Sequence, residues 1–278
     1  MIALLANPDS GSGEAEEVER LLARTGRELR RFALDQCDAA VAARPERIVV
    51  AGGDGSIGCA AEAAARASVP LGVVPVGTAN DFARALELPS ELEPATELAA
   101  TGSRTARLDL GLAGERPFVN AASAGLSPVA ARNAHGLKPA LGPLAYAVGA
   151  VRAGLRAQPV ACAARVDGET AFAGRAWQVI VGLTGAFGGG ADVEADPADG
   201  RLDLVVIEAR SRARLILHAH GLRAGRVEDQ EGVLSRTGDR IAVETDGAAG
   251  FNVDGELVET ARVEFSVRPG AFEVVVGR

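Results

Sequence analysis

Along the chain, apolar and polar residues fall into two textures. In the first hundred residues, short and largely aliphatic runs stand between helix-like stretches. Ile2 to Ala6, Ile48 to Ala51 and Leu71 to Val74 show no alternation, which is how a strand buried on both faces of a parallel sheet reads. Glu14 to about Arg24 carries Val18, Leu21 and Leu22 as an apolar stripe at helical spacing. Glu28 to Leu34 is a further strand and Asp38 to Ala43 a short helix. Ile57 to about Ala67, Phe82 onward and Glu93 to Thr101 complete the helices, with Gly102-Ser103 as the stop. Strand followed by helix, repeated, predicts a doubly wound α/β domain.

From Ala106 the texture changes. Leu108, Leu110 and Leu112 alternate with Asp109 and Gly111, the period of a strand with one buried face. The strands expected after it are Val160 to Val166, Thr170 to Ala173, Trp177 to Leu183, Leu202 to Ile207, Arg240 to Val243, Gly250 to Val253, Ala261 to Val267 and Phe272 to Val276. Many short strands with turn signals between them predict a β-sandwich. Helices over Pro139 to Leu155 and Ser211 to Arg223 interrupt it. The expected division is an α/β domain over 1–104 and a β-sandwich domain with a few helices over 105–278.

Two glycine-bearing loops sit where the first domain would bind a ligand. Gly52-Gly53-Asp54-Gly55-Ser56 follows the Ile48 strand and suits a tight turn with positive φ. The first N–H groups of the next helix would point into it and make an anion site, with phosphate the expected anion. Pro75-Val76-Gly77-Thr78-Ala79-Asn80-Asp81 repeats the arrangement after the Leu71 strand. Both loops fall at the carboxyl ends of strands, where open α/β sheets bind ligands. Gly53-x-Gly55-x-x-Gly58 matches the dinucleotide fingerprint, yet Val73-Val74-Pro75-Val76 lacks the acidic residue that would hold a ribose. No Walker A loop occurs.

GGDGS followed by PVGTANDFAR resembles the catalytic domain of the diacylglycerol kinase family, which includes bacterial lipid kinases and sphingosine and ceramide kinases. It is more distantly similar to NAD kinases and phosphofructokinases. Further matches follow in order: Asn7 to Gly11, Asn120 to Gly125, Phe187 to Gly190, Pro197 to Asp203, and Asp254-Gly255-Glu256. Ser56 stands where the family usually has Thr, and Phe32-Ala33-Leu34 stands where it commonly has a nucleotide-contacting Thr.

The resemblance implies a kinase that uses ATP and Mg²⁺, with its active site in the cleft between the domains. Asn7, Ser10, Gly11, the stretch Gly52 to Ser56, Thr78 and Asn80 would bind the nucleotide. Backbone amides of Gly53, Gly55 and Ser56 would cradle phosphate. Asp54 would bridge through Mg²⁺ or fix the loop amides. Two DGE tripeptides occur, at Asp167 and at Asp254, and Asp-Gly between strands is first a hairpin turn. Asp167 is read as structural. Asp254, with Glu256 beside it, is the general base that the resemblance implies. Asp196, Asp199 and Arg201 would hold a structural Mg²⁺ through oxygen atoms.

Composition narrows the partners. A formal net charge of −8 argues against general nucleic-acid binding, which asks for a basic field. Arg210, Arg212, Arg214, Arg223 and Arg226 form the most basic stretch; a solvated helix face is the simpler reading, contact with anionic headgroups the sharper one. No apolar run reaches membrane-spanning length and no basic leader opens the chain, so the expectation is a cytoplasmic protein, peripheral at the inner membrane surface. A homodimer stays open. Cys37, Cys59 and Cys162 suggest neither a disulfide framework nor a zinc site, and read as buried small hydrophobes. The leading expectation is an ATP-dependent lipid kinase with a diacylglycerol-class acceptor. The alternatives are a kinase of a soluble acceptor such as NAD, or a nucleotide-binding regulatory protein without turnover.

Overall fold

A computed structural model of the chain describes residues 1–6, 13–125, 158–187, 191–193, 195–211, 230–246 and 250–277. They divide into two compact units. One comprises Met1–Asn120, Pro197–Gly200 and Val267–Arg278, the other Ala121–Asp196 and Arg201–Ser266.

The first unit runs β1 (Ile2–Ala6), α1 (Glu14–Ala23), β2 (Leu29–Phe32), α2 (Cys37–Ala42), β3 (Arg47–Gly52), α3 (Asp54–Ala67), β4 (Leu71–Pro75), α4 (Asp81–Ala85), α5 (Leu92–Thr101), then a hairpin of β5 (Thr105–Ala113) and β6 (Arg116–Phe118). Parallel pairing sets the order β2-β1-β3-β4. Val274, at the end of the last strand of the chain, pairs in parallel with Leu71 and extends the sheet beyond β4. Ile48 and Val50 of β3 pack in one core with Ala40 of α2 and Ile57, Ala60 and Ala64 of α3. Val49 and Ala51 pack in another with Val18 and Leu22 of α1 and Ala95 and Ala99 of α5. A strand covered on both faces has no polar side, so the apolar run in the sequence has its physical cause.

The second unit carries β7 (Ala121–Gly125), β8 (Val160–Val166), β9 (Glu169–Gly182), β10 (Ala186–Phe187), β11 (Ala191–Asp192), β12 (Leu202–Glu208), β13 (Val233–Gly238), β14 (Arg240–Thr245), β15 (Phe251–Val253), β16 (Glu256–Val258) and the start of β17 (Arg262–Val275). It is a β-sandwich, and β9 serves both of its layers. The first half of β9 pairs with β8, while residues from Gln178 to Gly182 pair with β7 on one side and β12 on the other. β8 continues to β14 and β17; β12 continues to β13, and β7 to β15 and β16. Trp177, Ile180, Val205 and Ile207 fill the core of the layer built on the second half.

Four expectations change. The first unit continues past 104 to Asn120, because the β5–β6 hairpin belongs to it rather than to the sandwich. Asp109, expected on a solvated face, is 2% exposed, and β5 is buried from Leu108 to Gly111. The two strands expected over 170–183 are one strand, β9, and those over 261–276 are one strand, β17. Cys162 is buried as expected, but Cys37 and Cys59 are only half-buried. The helices expected over 139–155 and 211–223 lie outside the described residues, Ser211 excepted, as do Arg212, Arg214, Arg223 and Arg226. Arg210 is described, and its guanidinium pairs with Glu208 and Glu231. No described helix is long and apolar enough to cross a membrane.

Candidate active site

β1 lies between β2 and β3, so strand addition reverses beside it, and an open parallel sheet offers its ligand crevice at the carboxyl ends next to such a reversal. Register sets Ala6 beside Ala51 and Gly52 beside Pro75, bringing the ends of β1, β3 and β4 level. Asn7, Ser10 and Gly11 follow β1 in the chain and lie outside the described residues.

The glycines between β3 and α3 serve proximity rather than backbone handedness. α3 begins at Asp54, earlier than expected, and Gly53 caps it in an extended conformation with φ −92 and ψ −175. None of the left-handed residues falls within 52–56, contrary to the tight turn expected there. Between the loops there is no room for a side chain on Gly77, whose Cβ would meet the Cα of Gly53 at 2.5 Å, while a Cβ on Gly52 would meet the Ser56 side chain of α3 at 2.7 Å. The two loops are thus packed backbone on backbone. The N–H of Val76 donates to the Gly52 carbonyl at 3.2 Å and fastens them. Gly58 has a third use, since a Cβ there would meet the Pro117 carbonyl oxygen at 2.5 Å; its absence lets β6 lie against α3.

Of the three amides expected to cradle phosphate, that of Ser56 donates to the Gly53 carbonyl at 2.9 Å. The N–H groups of Asp54 and Gly55 open α3, where a helix supplies no acceptor of its own and its dipole favours an anion. On the neighbouring loop Asn80 is left-handed, with φ 50. Its Oδ1 accepts from the Gly77 N–H at 2.9 Å and its Nδ2 donates to the Gly77 carbonyl at 2.8 Å. Asn80 therefore shapes the loop with both ends of its amide, while Thr78 is exposed beside it.

Asp54 joins these pieces. Its Oδ1 accepts from the N–H of Phe82, in the first turn of α4, at 2.9 Å, and from Nδ2 of Asn120 at 2.9 Å. One carboxylate thereby ties the first loop to the helix that follows the second. Asn120 is 2% exposed, and the sequence reading quoted it within a motif without giving it a role. A buried amide at the end of an otherwise small and apolar segment was the signal available.

In the second unit, Asp254 lies at the turn between β15 and β16. Asp254 and Gly255 are both left-handed, φ 47 and φ 90. Asp254 is 8% exposed; its Oδ1 accepts from the Ala121 N–H at 3.1 Å, and its own N–H donates to the Ala121 carbonyl at 3.1 Å. Glu256, which begins β16, is exposed. The other DGE closes the β8–β9 hairpin as expected: Asp167 and Gly168 have φ 50 and φ 87, and Asp167 is exposed. Its Oδ1 accepts from the N–H groups of Asp239 and Arg240 at 3.1 and 2.9 Å.

The loop expected to hold a structural cation is anchored by Asp109 of β5. Asp109 accepts from the Gly200 N–H through Oδ2 and from the Gly270 N–H through Oδ1, each at 2.6 Å, and its own N–H donates to the Pro197 carbonyl at 2.8 Å. A carboxylate among leucines, Leu108-Asp109-Leu110, was its signal. Asp196 and Asp199 are exposed, and the Arg201 guanidinium lies 3.9 Å from Asp239. Among the described residues no three His, Cys, Asp or Glu side chains gather as a metal cluster. Asp199 and neighbouring carbonyl oxygens are hard donors of the kind Mg²⁺ prefers.

Residues 1–113 match the diacylglycerol kinase catalytic domain, and residues 120–276 match the YegS C-terminal NAD kinase beta sandwich-like domain. The chain belongs to the diacylglycerol kinase family. Within it, a probable lipid kinase YegS-like protein of Pseudomonas aeruginosa (strain UCBPP-PA14) is 32% identical over 291 residues, covering 99% of this chain and 93% of the relative. A diacylglycerol kinase of Mycobacterium tuberculosis (strain H37Rv) is 27% identical over 246 residues, covering 85% of this chain and 79% of the relative. A solved diacylglycerol kinase from Bacillus anthracis str. Sterne shares the fold, with a TM-score of 0.76 at 21% identity over 99% of this chain and 96% of that one. The break between the two family matches, at 113–120, agrees with the end of the first unit's leading segment at Asn120.

Proposed function

We propose that the protein is an ATP-dependent lipid kinase that transfers the γ-phosphate of ATP to a hydroxyl of a diacylglycerol-class lipid presented at a membrane surface. The observation that carries this reading is Asp254, a carboxylate buried on a hairpin turn that chemistry does not require to be buried. Phosphoryl transfer needs little covalent help beyond a cradle for the phosphates, charge neutralisation and an acceptor for the hydroxyl proton. The first turn of α3 and the loop against it offer the cradle. Asp54 would help to hold Mg²⁺, which would supply the neutralisation. Asp254 takes the proton of the acceptor hydroxyl, and Glu256 sets the charge around it. Bound within hydrogen-bond reach of the hydroxyl, a carboxylate makes the oxygen a better nucleophile as the bond to phosphorus forms.

A second reading has an observation of its own, since the family description matched by residues 120–276 names NAD kinase: the acceptor would then be soluble. Purified protein incubated with γ-labelled ATP, Mg²⁺ and either diacylglycerol vesicles or NAD separates the two. Label in the lipid fraction is expected. Label in the nucleotide fraction alone would move the acceptor to NAD, and ATP binding without transfer to either would leave a regulatory nucleotide-binding protein.

A further inference from the structure

Cys37, the first residue of α2, and Cys59, in the second turn of α3, meet across the contact between these helices. Their sulfurs stand 2.6 Å apart, and both have the Leu34 carbonyl oxygen near, at 3.2 Å from Cys37 Sγ and 3.6 Å from Cys59 Sγ. A disulfide needs a separation of about 2.05 Å, so closing the bond asks for roughly half an ångström of approach between the two sulfurs. Both residues are half-buried, within reach of a small solute, whereas Cys162 is buried.

We propose that Cys37 and Cys59 are a site of reversible oxidation, forming an intramolecular disulfide with a peroxide as the oxidant. The chemistry balances with that oxidant alone. The Cys59 thiolate attacks one peroxide oxygen; an S–O bond forms, the O–O bond breaks, and the departing hydroxide is protonated to water. The Cys37 sulfur then attacks the Cys59 sulfenic sulfur; the S–S bond forms, the S–O bond breaks, and hydroxide leaves as water with the Cys37 proton. Two thiols lose two electrons and one peroxide becomes two waters.

The surroundings favour this division of roles. The hydrogen bond between the two thiols lowers the pKa of Cys59 and raises that of Cys37, the direction that suits Cys59 as the attacking thiolate and Cys37 as the resolving thiol. Arg116 favours the Cys59 thiolate, while burial, Glu62 and Asp38 oppose it; around Cys37, Asp38 opposes ionisation and Arg66 favours it. Cys162 is a built-in control, its thiol pushed up to about 11 by burial and by the nearby Asp246. The bond would cross-link α2 to α3, the helix whose first turn carries Asp54, but the modification does not rest on the kinase reading.

Intact-mass analysis after alkylation in denaturant tests it on the full chain. Reduced protein takes an alkyl group on each of Cys37, Cys59 and Cys162. Protein treated with a stoichiometric amount of hydrogen peroxide is expected to take one, on Cys162, to yield a linked Cys37–Cys59 peptide on digestion, and to recover all three sites with dithiothreitol. Cys37→Ser should abolish the linked peptide under the same treatment. Three alkylated cysteines after peroxide, a Cys59 sulfinic acid that dithiothreitol does not reverse, or a disulfide between two chains would each overturn the proposal, and none of these readouts depends on a variant folding.

Discussion

The same three residues, Asp-Gly-Glu, close two hairpins in this protein, and the two turns are the same in backbone and opposite in setting. At 167 and at 254 the aspartate and the glycine are left-handed, which is what a two-residue hairpin loop demands. Asp167 stands in solvent and spends its carboxylate on the amides of Asp239 and Arg240. Asp254 is buried and engaged with Ala121 through both its side chain and its backbone. The first aspartate is accounted for by its own turn and the two amides it caps between β13 and β14. Turn chemistry does not account for burying the second, because placing a carboxylate away from water costs free energy unless something else is gained. The tripeptide is therefore a fold signal in both places, and the burial of Asp254 is what the proposed catalytic role would account for.

The comparison breaks most visibly in turnover. Asp254→Asn keeps size and turn preference but removes the basic carboxylate, so turnover should fall by about 10²-fold or more while ATP affinity, read by calorimetry, is retained. An Asp254→Asn enzyme with wild-type turnover would remove the proposed base. The next effect is on stability. Asp254→Ala leaves the Ala121 N–H buried without that acceptor and should cost about 1–3 kcal/mol in urea unfolding, whereas Asp167→Ala hands its two amides to water and should cost less. Equal losses would show that the two settings do not differ energetically. A smaller effect is expected in the first unit. Asp54→Ala releases the Phe82 amide and Asn120, and ATP affinity should weaken by about tenfold, in line with the loss of hydrogen bonds to a charged group. Unchanged affinity would take the α3 loop out of the site. The smallest is Asp167→Asn, which can accept the same two hydrogen bonds and tolerates the left-handed turn; stability should shift by no more than about 0.5 kcal/mol and turnover should stay at wild type. An inactive but folded Asp167→Asn would mean that the catalytic aspartate is the exposed one.

Much of this was legible, for physical reasons that differ from place to place. β3 and β4 show as apolar runs because helices cover both faces of their sheet. The two glycine loops show because they touch backbone to backbone, with no room for a Cβ on Gly77 and little for one on Gly53. β7 did not show: Ala121-Ala122-Ser123-Ala124-Gly125 has no branched or aromatic side chain, and its strand character comes from pairing with β9 and β15. Asp109 was misplaced because alternation predicts which residues share a face, not whether the second face is also covered. The Cys37–Cys59 contact could not be read from a spacing of 22 residues, since the packing of α2 on α3 creates it.

β17 has a consequence for how the protein is made. Residues from Val267 onward finish the sheet of the first unit, with Val274 beside Leu71 of β4. While a ribosome is still adding the middle of the chain, β4 is an edge strand with β3 on one side and nothing on the other, although residues 1–120 have already emerged. An unpaired apolar edge invites pairing with another nascent chain. The first unit therefore stays incomplete until β17 has been made, and a fragment ending at Asn120 would carry that open edge permanently.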